Sequence, residues 1–244
     1  MSASHPTILA HQFDDLHQQK ESVTLGMWAF LVTEVMFFGG AFLGYAVYRF
    51  YYPEAFAYGS SLESWRIGAF NTVVLLISSL TVALAVHEAQ GGNNGGVIRY
   101  LVITIALALL FVGVKGYEYN HIIEAGHAPW QRFTEGYYAG DNPSPSAHGA
   151  GPHGTGPHAQ GANGQGAHKA TTIFFSFYFA MTSIHALHML IGVGLFIWLI
   201  KLARRNRFSP KYYNPVEVVG LYWHFVDIVW IFIYPLFYLI DPKW

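Results

Sequence analysis

The sequence predicts an all-α protein, a polytopic transmembrane bundle of five membrane-spanning helices. Three observations carry this expectation. Of the 244 residues 53% are hydrophobic and only 11% charged, against about a quarter charged in an ordinary soluble domain. Five runs are apolar over the roughly 20 helical residues, at about 1.5 Å each, that a hydrocarbon core of about 30 Å requires. Aromatic residues make up 17% of the chain, which suits lipid-facing helices with Trp and Tyr at both interfaces.

The elements follow in order. Residues 1–24 form a polar N-terminal segment without the basic-then-apolar order of a cleaved signal peptide, so the first apolar run is read as a resident span. That run, 25–48, carries one charge, Glu34; the second, 67–86, carries none. The third, 98–121, is uncharged only from Tyr100 to Val114 and must continue through Lys115, Gly116, Tyr117 and Glu118 to cross. The fourth, 171–200, is interrupted only by His185 and His188, and the fifth, 218–240, holds Asp227 near its middle and Pro235 near its end. Lys201, Arg204, Arg205, Arg207 and Lys211 follow the fourth span. The excess of positive charge in cytoplasmic loops puts that loop inside, the N-terminus inside and the C-terminus outside. Residues 54–66 and 124–169 are then expected as outer loops. Within the second, 140–168 is rich in Gly, Ala, Pro and His and has no apolar period. It reads as a flexible, solvated insertion rather than a metal-binding tract.

Composition excludes several chemistries. The chain has no Cys, which removes disulfides, iron–sulfur clusters and thiolate-bound metal. A net charge of −1 with His neutral gives no field for nucleic acid.

Polar groups inside the membrane need an explanation. Glu34 lies about 14 Å into its span by helical rise, with no charged neighbour at helical spacing. It is expected to face protein or a polar cavity. His224 and Asp227, at i and i+3, share a face and suit a helix–helix hydrogen bond. His185 and His188 have the same spacing, but the carboxylate or further His that a zinc or haem site needs is not at matching positions, so no metal is assigned. Lys115 and Glu118 are spaced for an ion pair within the third span. Gly40 with Gly44, and Gly192 with Gly194, mark candidate close approaches of helices. Trp65, Trp130, Trp223, Trp244, Tyr51 and Tyr52 are read as interfacial anchors.

The motifs go further. The first span reads Gly26-Met27-Trp28-Ala29-Phe30-Leu31-Val32-Thr33-Glu34-Val35-Met36-Phe37-Phe38, and the second opens near Asn71-Thr72 and ends at His87. The third closes on Gly116-Tyr117-Glu118-Tyr119, and the fourth carries His185-Ala186-Leu187-His188-Met189-Leu190-Ile191-Gly192. The fifth follows Glu217 with Tyr222-Trp223-His224-Phe225-Val226-Asp227-Ile228-Val229-Trp230. In this order, one block per helix, they closely resemble subunit III of the haem–copper respiratory oxidases, in its five-helix bacterial form.

The resemblance implies a multi-pass protein of the bacterial cell (inner) membrane that packs beside subunit I. It implies a subunit without a catalytic centre, in a cytochrome c oxidase that reduces oxygen and pumps protons. Haems and copper belong to subunits I and II, and this chain binds none. Subunit II docks cytochrome c, small subunits can join, and structural phospholipid fills the cleft of the longer members. Glu34 matches the family's membrane-buried, carbodiimide-reactive carboxylate and is the candidate for proton support. His185, His188, His224, Asp227, Glu118, Asn71 and His87 form the expected intramembrane polar network. The family often has an Arg before the first motif where this chain has Thr24-Leu25, so Lys201, Arg204 and Arg205 are the candidate lipid-headgroup contacts. A quinol oxidase subunit III, an accessory subunit of a nitric oxide reductase, and a stand-alone proton or ion transporter are the alternatives. The third is disfavoured because no internal repeat is visible.

Overall fold

Long apolar runs bounded by turn residues become helices because a backbone in lipid must satisfy its own hydrogen bonds. The computed structural model describes residues 12–124 and 164–239, the side chains of 164–170 excepted. Among the described residues there are six helices: α1 (Leu16–Tyr51), α2 (Pro53–Ser61), α3 (Trp65–Gln90), α4 (Asn94–Glu124), α5 (Gly164–Arg204) and α6 (Asn214–Tyr238). All but α2 are long and apolar enough to cross a membrane. The third span is continuous through Lys115 and Glu118, as expected.

Three boundaries differ from expectation. The N-terminal segment is already helical from Leu16, because Asp15 caps it by accepting the backbone N–H of Gln18 at 2.7 Å. The outer loop 54–66 contains α2. Pro53 pre-sets the first turn, and the fully buried Phe56 pins it by packing edge-on to Tyr45 and Phe174. Residues 164–168, expected in the Gly/His loop, are the first turns of α5. The rest of that loop and the last residues, 240–244, lie outside the described residues.

Helices α3, α4, α5 and α6 form a four-helix core, with α1 laid against α5 and α6 and α2 folded over the α5 end. Glycine permits two of the tightest approaches. A Cβ on Gly192 of α5 would stand 2.6 Å from the Trp223 ring of α6, and one on Gly68 of α3 the same distance from Tyr234. Gly192 thus serves as the sequence suggested. Gly40 and Gly194 meet nothing, and Gly44 only touches Phe177 at 3.4 Å. Near the end of α6, Pro235 interrupts the ladder, and Tyr45 of α1 donates to the carbonyl of Leu236, one of the last-turn carbonyls that has no helical partner. The end of the bundle carrying α2 is termed the α2 end, and the opposite one, with the α5–α6 hairpin, the hairpin end.

Candidate functional site

The polar residues gather in three places along the bundle, each where two or more helices bring short side chains together.

The first lies between α1 and α5. Glu34 Oε2 stands 3.1 Å from His188 Nε2. The ring's other nitrogen, Nδ1, is 2.8 Å from the carbonyl oxygen of Ile184. A carbonyl only accepts, so Nδ1 carries a hydrogen. Nε2 then meets Glu34 either as an imidazolium donating to a carboxylate or as a bare nitrogen accepting from a carboxylic acid. In both forms one proton lies between the two side chains. The pair sits at the rim of the bundle, with side chains 18% and 14% exposed, and Phe38 and Tyr222 wall it. Glu34 faces protein as expected, and its own helix supplies no charged neighbour. Its neighbour comes from another helix, 154 residues away.

The second place is the centre of the four-helix core. His185 is buried against Phe111 of α4 and Trp230 of α6, with ring centroids at 5.6 and 5.1 Å. At i and i+3 the two histidines therefore serve different neighbours, His188 facing α1 and His185 facing inward. Trp230 donates to Thr72 at 3.1 Å, and one heptad away Trp223 donates to Ser78 at 3.1 Å. Trp223, expected as an interfacial anchor, is fully buried because it lies mid-helix rather than at an end. Trp65, Tyr51 and Tyr52 are exposed, as anchors require, while Trp130 and Trp244 lie outside the described residues. His224 shares a 2.6 Å hydrogen bond with Ser79 of α3. Asp227 does not pair with His224. Both its oxygens, like the polar atoms of Asn71 and the ring nitrogens of His185, have no hydrogen-bond partner among the described residues. The helix–helix hydrogen bond expected of this face is made by His224, to a hydroxyl across the interface, while Asp227 is left to the interior. His87 is exposed near the last turn of α3 and belongs to no interior network.

The third place is the α2 end. Lys115 and Glu118 pair at 2.6 Å, as their spacing predicted, and both are buried. Tyr178 of α5 and Tyr238 of α6 close around them, and the Lys115 Nζ lies 4.8 Å from the Tyr178 ring centroid and 5.3 Å from that of Trp230, a cation–π cage. Glu63, which no spacing rule singled out, joins from the turn between α2 and α3. Its burial pushes its carboxyl up to about 8, with the Glu118 charge as the second cause. Lys201, Arg204 and Arg205 are exposed at the hairpin end, where headgroup contacts would need them. Among the described residues no three His, Asp or Glu side chains converge as a metal site would require.

This geometry describes a membrane scaffold with buried acids, and comparisons of the whole chain place it. A family model for cytochrome c oxidase subunit III matches residues 10–125 and 166–241. A cytochrome c oxidase subunit 3 of Corynebacterium diphtheriae is 28% identical over 90% of this chain and 88% of its own. One of Thermostichus vulcanus is 25% identical over 93% and 92%. A quinol oxidase subunit 3 of Bacillus subtilis is 27% identical over 88% and 85%.

Proposed function

The chain belongs to the cytochrome c oxidase subunit III family, a multi-pass membrane protein of a respiratory oxidase complex, and from that premise we propose that it is the non-catalytic subunit III of a proton-pumping haem–copper cytochrome c oxidase. In this reading it packs beside subunit I, with subunit II and small subunits nearby and cytochrome c as the donor, and binds structural phospholipid. It lies in the bacterial inner membrane with the hairpin end cytoplasmic, where the basic 201–211 loop belongs.

One observation supports the proton-support role: Glu34 Oε2 stands 3.1 Å from His188 Nε2 at the rim of the bundle, a contact that a shared proton bridges in this reading. A proton so placed can be handed on without charging the apolar interior, whereas a lone carboxylate could not reside there. Glu34→Gln keeps a donor for Nε2 but removes the titrating group. Oxygen consumption by the purified complex, followed across pH until activity dies, is expected to show slower proton-limited turnover and a shorter catalytic lifetime for Glu34→Gln and for the subunit-depleted enzyme. Rates and lifetimes equal to wild type in both would leave Glu34 a helix bridge only.

A second reading, a quinol oxidase subunit III, is favoured by the similarity to the Bacillus protein at nearly the same identity. The donor is decided by another subunit. Purification through a tag on this chain, with cytochrome c and quinol supplied in turn, separates the two.

A further inference from the structure

Two buried carboxyl groups and one cation meet at the α2 end. As an ammonium, Lys115 has three hydrogens to give, and all are placed: on Glu118 Oε2 at 2.6 Å, Tyr178 OH at 2.9 Å and Tyr238 OH at 2.7 Å. Tyr238 in turn donates to Glu118, lying 2.8 and 2.9 Å from its two oxygens. The Glu118 charge is therefore answered twice, and Lys115 has nothing left for Glu63. The Glu63 side chain is only 7% exposed and faces Glu118 and Tyr178. Tyr178 has one hydrogen of its own, and Glu63 Oε1 receives no hydrogen bond among the described residues. A second negative charge here would be an uncompensated buried ion, which costs several kcal/mol.

We propose that Glu63 and Glu118 form a proton-binding site at the α2 end of the bundle, holding one exchangeable proton between two carboxyls beside Lys115. The proton lets Glu63 donate to its neighbour, so that one cation suffices for two acids. The titratable groups within electrostatic reach of Glu63 are Lys115, Glu118 and Tyr119 from α4, Tyr178 from α5 and Tyr238 from α6. Lys115 is the cation among them, and its hydrogens are all engaged. Glu63 lies in the turn joining α2 to α3, outside every span, so the site is one short segment away from the aqueous surface. Its raised position, about 8 against an ordinary 4.5, fits a proton bound near neutrality. The folded protein then binds the proton more tightly than the unfolded chain. The stabilisation is complete below about 4.5 and is lost as pH rises through about 8.

The test uses the intact oxidase complex and infrared spectroscopy in light and heavy water. A protonated carboxyl stretch that shifts in heavy water and disappears with a midpoint near pH 8 is expected in wild type, and is expected to be missing in Glu63→Gln. Thermal stability is expected to fall on the alkaline side in wild type and to stay flat there in Glu63→Gln, whose amide mimics the protonated acid. No titrating carboxyl between about pH 6 and about pH 10, or the same band retained in Glu63→Gln, overturns the proposal. If Glu63→Gln does not assemble, Glu118→Gln decides. That change frees Lys115 for Glu63, and the midpoint is expected to drop by at least about one pH unit, a tenfold weaker proton affinity; an unchanged midpoint overturns the site.

Discussion

Helices α1 and α6 lie against each other, yet they are held in opposite ways. α1 buries Leu31, Phe38 and Tyr45, a single column repeating every seven residues, and leaves Leu25, Trp28, Val35, Met36 and Leu43 open. α6 buries three such columns: Val216, Trp223, Trp230 and Phe237; Val219, Val226 and Ile233; Tyr222 and Val229. Both repeats fit the shallow left-handed crossing of packed membrane helices. Between lipid-immersed helices the hydrophobic effect contributes little, since lipid tails are as apolar as leucine, and packing with interhelical hydrogen bonds decides. A helix with three columns is therefore part of the fold, while a helix with one is held mainly by its polar ties, Glu34–His188 and Tyr45 to the Leu236 carbonyl.

The largest effect that would break this contrast is on α6. Trp230→Ala removes a fully buried indole, its hydrogen bond to Thr72 and one wall of the Lys115 cage, and is expected to lower stability by about 3–5 kcal/mol. Denaturant titration of the purified complex measures this. Gly192→Ala comes next. Its methyl would meet the Trp223 ring, so about 1–3 kcal/mol is expected to be lost while Gly40→Ala, in open space on α1, changes nothing measurable. Equal effects at the two glycines would contradict the packing described here. Third, a hydrophobic carbodiimide is expected to label Glu34 and spare Asp227, whose carboxyl oxygens are buried. Peptide mass mapping reads the outcome, and predominant labelling of Asp227 would reverse the assignment of rim and core. The smallest effect is expected at Trp28→Ala on the open face of α1, within about 0.5 kcal/mol, provided the subunit is measured apart from its partners.

The contrast also explains what the sequence could disclose. Spans depend on length and apolarity, which are local, so five helices and the Lys115–Glu118 pair within one of them were legible. Pairings between helices were not. Nothing near Glu34 in the chain points to His188, and the i, i+3 spacing of His224 and Asp227 is equally satisfied by a bond to Ser79 from another helix. Trp223 misled because an aromatic near a basic loop looks interfacial until the helix is known to start at Asn214. Glu63 was silent for a related reason. Its turn has loop-like composition, and its chemistry arises only when three other helices enclose it.

The length of α5 has a mechanical consequence. From Thr171 to Arg204 it has 34 residues, roughly 50 Å by the helical rise, against a hydrocarbon thickness of about 30 Å. Even tilted by about 40°, the upper end of what spanning helices adopt, it would still measure about 39 Å along the membrane normal. The helix therefore projects out of the hydrocarbon as a continuous stiff rod. Gly192, seated against the Trp223 ring, lets this rod bear closely on α6 beyond its midpoint, and the buried Tyr178 and Phe196 hold it on either side.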